Sequence, residues 1–182
     1  MQNFPLHTLQ SAPDQSKPSL EQLNSSFGVI PNIAAAMATS PVLIGSLVVL
    51  FQKVHTGSFN EEQIQTVLLT NAVTNACTWA VAFHSYLALQ NGVHADDVEA
   101  IRHKRLPKEA KNAALSNLAR TLIEKRGQLS EVDIDSFINA GFTQSLLLEV
   151  ISIVAASTIT NYTGSVTKPA LESTFAPYAW TA

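Results

Sequence analysis

The chain of 182 residues carries a single cysteine, Cys77, in the stretch NACTWAVAFHSYLALQNGV, with His84 seven positions later. Thiol and imidazole are the side chains best fitted to nucleophilic, redox or proton-transfer work near neutral pH. On a continuous helix Cys77, Ala80 and His84 stand at i, i+3 and i+7 and share one face. The rise of about 1.5 Å per residue then separates Cys77 from His84 by about 10 Å, too far for a direct hydrogen bond. A helix broken at Asn75 would instead place Cys77 in a first turn, where unpaired amides and the helix dipole favour a thiolate.

Glu149 is the second unusual residue, because it interrupts the apolar run SLLLEVISIV. A carboxylate there must face water or find a partner, and a contact with His84 would complete an acid–base pair. Trp79, Phe83 and Tyr86 could line an apolar pocket on the Cys77–His84 helix, although aromatic residues at such spacing usually form core. The other histidines, His7, His55, His94 and His103, lack HxxxH or ExxH spacing, so no metal site is expected. GxGxxG, GxxxxGK and GxSxG are also missing, and no cofactor is expected.

These groups must be positioned by helices, since no segment shows sustained alternation of apolar and polar residues. Residues 1–18 hold three prolines and no periodicity, and are expected to form an extended N-terminal arm that wraps a neighbour, with one domain over residues 19–182. Ser19 and Gln22 form an expected capping box for a helix closed by Gly28, and Ser40 with Pro41 opens one that runs to His55. Asn60 with Gln63 starts the next, which continues through AVAFHSYLALQ to Gly92 with Asn75 as its potential break. Further helices are expected after Gly92, from Pro107 to Arg126, from Ser130 to Gly141, and from Thr143 or Gln144 to Tyr162, before an aromatic tail that packs on a surface. The fold class is all-α, a single domain of about eight or nine helices.

Net charge −3 and pI near 5.9 give no reason to bind nucleic acid, and Arg102–Arg105 reads as a solvated loop. One cysteine forms no internal disulfide and the N-terminus lacks a signal-peptide pattern, so a cytoplasmic setting is expected. PVLIGSLVVLF and SLLLEVISIV are shorter than the ~20 residues of a bilayer span and read as buried helices. Hydrophobic residues at 46% against 14% charged imply subunit interfaces. The apolar face from Val67 to Leu89, or its neighbour, is the expected place, and the chain is expected to be a homo-oligomer.

The segments FGVIPNIAAAMATSPVLIGSLVVLFQ, NEEQIQTVLLTNAVTNACTWAVAFHSYLALQNGV and INAGFTQSLLLEVISIVAASTITNYTGSV resemble the carboxymuconolactone decarboxylase superfamily, in its alkylhydroperoxidase AhpD-like, peroxidase-related branch. The resemblance implies an all-helical fold assembled as dimers, trimers or hexamers. In redox-active members a CxxC opens the helix, a histidine follows the second cysteine by four residues, and a glutamate precedes the first by twelve. Those positions fall here on Cys77, Ala80, His84 and Gln65, and Trp79 takes a slot that sometimes holds a further histidine.

Ala80 removes the resolving thiol and Gln65 removes the proton-relaying carboxylate, so an internal dithiol cycle is impossible for this chain. Three readings follow. Cys77 acts as a one-cysteine peroxidase or sensor, restored by an external thiol reductant. His84 acts as acid or base in a decarboxylase- or isomerase-like proton transfer, with Gln65, Trp79, Ala80 and Glu149 around the substrate. Or the chain is a helical oligomer that has lost catalysis.

Overall fold

The computed structural model describes residues 4–182, so the first three residues of the expected arm lie outside the described part. Among the described residues there are nine α-helices and no strands: α1 Lys17–Phe27, α2 Asn32–Met37, α3 Pro41–His55, α4 Glu61–Thr74, α5 Thr78–Gln90, α6 Ala95–Arg102, α7 Ala110–Glu124, α8 Glu131–Asn139 and α9 Gln144–Thr167.

Helix starts follow side-chain capping, which satisfies amides that the first turn leaves open. Asn60 with Gln63, and Ser130 with Asp133, form complete capping boxes, while Ser40 and Thr143 accept from Leu43 and Leu146 amides. The box expected at Ser19 does not form. α1 starts three residues earlier, and its N-cap Ser16 sends its hydroxyl to the Ala38 carbonyl, joining α1 to the end of α2. Helix α2 itself was hidden in sequence by its short, alanine-rich run. α7 starts at Ala110 under a Glu109 cap, not at Pro107, and α9 runs five residues beyond Tyr162 to Thr167.

α4 is the axis of the molecule. It packs against α5, α7 and α9, and every residue from Ile64 to Val73 is buried, as expected of a helix enclosed on all sides. α1, α2, α3, α5 and the C-terminal tail enclose one apolar core, and α4, α7, α8 and α9 the other. The Val67–Leu89 face expected at a subunit interface is therefore mostly the interior of a single chain: Val67, Leu68, Leu69, Ala80 and Val81 are all buried. Segment 4–13 likewise lies on its own chain, with the His7 amide on Ala35 and Ala12 in the core.

α9 is the one described helix with the length and apolar character of a bilayer span, longer than its sequence pattern suggested. It packs along α2, α3, α4, α5 and α7 and buries the polar Ser157, Thr160 and Asn161. Arg102, expected in a solvated loop, anchors the tail instead: its guanidinium donates to the carbonyls of Tyr178 and Ala179, and its own carbonyl accepts from the Trp180 indole.

Candidate functional site

The Asn75 break is real and decides where the thiol goes. Ala76 takes a left-handed conformation (φ 52°), its amide bonds Val73 and the Cys77 amide bonds Ala72, so α4 closes in a Schellman turn. Cys77 is then the extended N-cap of α5 (φ −88°, ψ 96°) and not part of the helix, which removes the i, i+7 relation with His84.

Its sulfur enters a pocket of about 480 Å³ between the start of α5 and the end of α9, shared with Ser165 and Lys168. A Cβ built on Gly164 would lie 2.7 Å from the sulfur, so glycine there is what lets α9 approach. Burial raises the thiol above its ordinary pKa, outweighing the Ala80 and Trp79 amides and the Ser165 hydroxyl that favour the thiolate. At neutral pH Cys77 is a buried protonated thiol.

His84 faces elsewhere. It lines a cavity of about 440 Å³ between α1, α2, α3, α4 and α5, where Phe27, Phe51, Trp79 and Phe83 supply the aromatic part of the wall. Trp79 and Phe83 stack at 4.9 Å, and Phe27 meets Phe83 edge-on at 5.5 Å. The imidazole is 2% exposed, and its Nδ1 lies 3.0 Å from Gln65 Oε1. Since an amide oxygen only accepts, Nδ1 carries the proton and Nε2 is left as an acceptor. Burial, aided by the nearby His55, pushes His84 down to about 3, so the ring is neutral at pH 7.

Of the residues singled out in sequence, the structure brings Gln65, Trp79, Phe83 and His84 to this cavity and leaves Tyr86 outside its lining. Ala80 is fully buried and outside the lining, and Cys77 belongs to the other pocket. The proposed Glu149–His84 contact does not form. Glu149 Oε1 accepts from the Ser58 amide at 2.6 Å beside Gly57, fixing the α3–α4 loop from α9.

Two lining groups escaped the sequence reading, His55 and Glu61, paired at 2.8 Å between His55 Nδ1 and Glu61 Oε1. Six residues separate them, which matches no ligand or catalytic spacing, and only the α3–α4 turn makes them neighbours. Outside the lining, the carboxylate of Glu172 holds the Trp79 ring, accepting from its indole at 3.0 Å and from the Asn32 amide at 2.6 Å. Among the described residues no group of three histidine, cysteine or acidic side chains gathers as a metal site.

No family model matches the chain, and no curated protein is detectably similar to it in sequence. Solved structures are similar in fold. The AhpD core of an uncharacterized peroxidase-related protein from Ralstonia eutropha JMP134 matches with TM-score 0.79 and 17% identity, over 95% of this chain and 93% of that one. A cysteine-to-alanine variant of the debrominase Bmp8, in complex with 2,3,4-tribromopyrrole, matches with TM-score 0.80 and 15% identity, over 98% and 95%. A peroxidase-related protein from Silicibacter sp. TM1040 matches with TM-score 0.78 and 15% identity, over 96% and 92%. The chain has the all-helical AhpD-like fold.

Proposed function

We propose that this chain is an AhpD-like enzyme of small, apolar, ring-containing molecules, which it holds in the α1–α3–α4–α5 cavity for proton-transfer chemistry beside His84. One observation carries this reading: the neutral imidazole, fixed by Gln65, stands in an aromatic-lined cleft of ligand size while the only thiol opens elsewhere. Buried Nε2 accepts a hydrogen bond from the polar end of the ligand. That the similar Bmp8 variant holds a brominated pyrrole supports an aromatic ligand. The setting is cytoplasmic, and nucleic acid has no part in it. The chain assembles as a homo-oligomer through the apolar residues that α9 leaves exposed.

The second reading, a one-cysteine peroxidase using an external thiol, is favoured by the amides of Trp79 and Ala80 directed at the Cys77 sulfur. Both are tested on the same samples. Binding of 4-nitrophenol by equilibrium dialysis is expected for wild type and Cys77→Ala alike, and His84→Phe should weaken it by about five- to tenfold, the worth of one buried hydrogen bond. Unchanged affinity in His84→Phe would refute the first reading. Sulfenic-acid trapping after hydrogen peroxide should show Cys77 reacting no faster than a free thiol, and rapid modification reversed by added thiol would establish the second.

A further inference from the structure

The cavity contains a second imidazole with its own partner. α4 carries two acceptors one turn apart, Glu61 and Gln65, and each holds a histidine from a different helix, His55 at the end of α3 and His84 within α5. A spacing of four residues puts the two partners about 6 Å apart along α4, room for one hydroxyl-bearing ring between them. His55, Glu61 and His84 are the titratable side chains among the cavity's lining residues.

The two histidines differ in what they can do with a proton. His84 is buried against a neutral amide, so a proton arriving there would create an uncompensated cation. His55 has Glu61 on Nδ1 at 2.8 Å, an arrangement that fixes the tautomer, leaves Nε2 as acceptor and neutralises the imidazolium formed. Its ring is also held in place, stacked on Phe51 at 5.8 Å and 27°. Glu61 lies inside the Asn60–Gln63 capping box in the first turn of α4. The pair lines the cavity and also reaches solvent, with the His55 and Glu61 side chains 32% and 45% exposed, so a proton taken up there can pass on to water.

We propose that His55, backed by Glu61, is the general base of the cavity and that its ligands are small phenols or similarly acidic hydroxyl compounds. This rests on the reading of the cavity given above. In the step, the ligand O–H bond breaks, its proton goes to His55 Nε2, and the electron pair stays on oxygen as phenolate. Glu61 balances the imidazolium, and nothing is oxidised or reduced.

The probe is 4-nitrophenol at pH 6, whose phenolate absorbs near 400 nm, with bound probe measured independently by equilibrium dialysis. Bound to wild type, its ionised-to-neutral ratio should rise at least about threefold over free probe, half a unit of apparent pKa. His55→Gln and Glu61→Gln should each return that ratio to the free value while binding persists, and Asp135→Asn on α8 should behave as wild type. Circular dichroism checks that the variants fold. Binding without added ionisation in wild type, or ionisation that survives in folded His55→Gln, overturns the assignment of His55 and leaves the cavity reading intact. No binding to wild type overturns both.

Discussion

At the scale of single residues, the neutral state of His84 makes a pH prediction. Its pKa falls from 6.5 to about 3 on folding, so between those values the unfolded chain binds the proton that the native chain refuses. Stability should therefore rise with pH across about 3 to 6.5, by up to about 1.4 kcal/mol per unit from this group, and gain nothing from it above that window. Urea melts from pH 4.5 to 8 should show this slope in wild type and a smaller one in His84→Phe, and the ring resonances of His84 should not shift between pH 5 and 8. Equal slopes would mean the ring is hydrated in solution. His84 was legible by its residue type, and Gln65 only through the resemblance, at the position where redox-active members carry a glutamate. For Cys77 the sequence left a continuous helix and a break at Asn75 both open, and the left-handed Ala76 that decides for the break carries no local signal, since alanine has no preference for that conformation.

At the scale of elements, the contact of α9 with the start of α5 depends on Gly164. In Gly164→Ala the new methyl would meet the Cys77 sulfur at 2.7 Å and Ile33 at 3.3 Å, and overpacking of this kind costs about 1–3 kcal/mol. Adding Cys77→Ala removes the nearer atom, so the double variant should recover at least half of that loss in a denaturant titration. Additive losses would show that Ile33 sets the limit instead. Most helices were legible through their caps and apolar periodicity, since Asn60, Ser130 and Ser40 each act where the sequence placed them. Glu149 was not: its hydrogen bond spans 91 residues to the Ser58 amide, and nothing local distinguishes a distant backbone partner from a side-chain one. The same limit hid His55 and Glu61, and Arg102 with the tail.

At the scale of the whole molecule, the apolar excess that pointed to an interface is real but lies on another surface. α9 exposes Leu148, Ile151, Tyr162 and Val166 at 43–66%, spaced to fall along one side of the helix. A second copy is the proposed cover. Wild type should sediment as a dimer or larger at micromolar concentration, and Ile151→Glu with Tyr162→Glu should shift it to monomer with unchanged helical content. A monodisperse wild-type monomer would refute this.

Glu172 has a consequence for how the protein is made. Its one carboxylate binds the Trp79 indole and the first amide of α2, and Phe175 packs edge-on against Trp79 and Phe83, so a late segment of the chain covers an aromatic cluster that earlier helices build. During synthesis α1 to α5 leave the ribosome long before that segment, and the aromatic cluster must wait, open on one side, for residues 170–180 to arrive. A nascent chain stalled before residue 172 would lack Phe175 and leave the Trp79, Phe83 and Tyr86 rings uncovered, the kind of apolar surface that chaperones recognise.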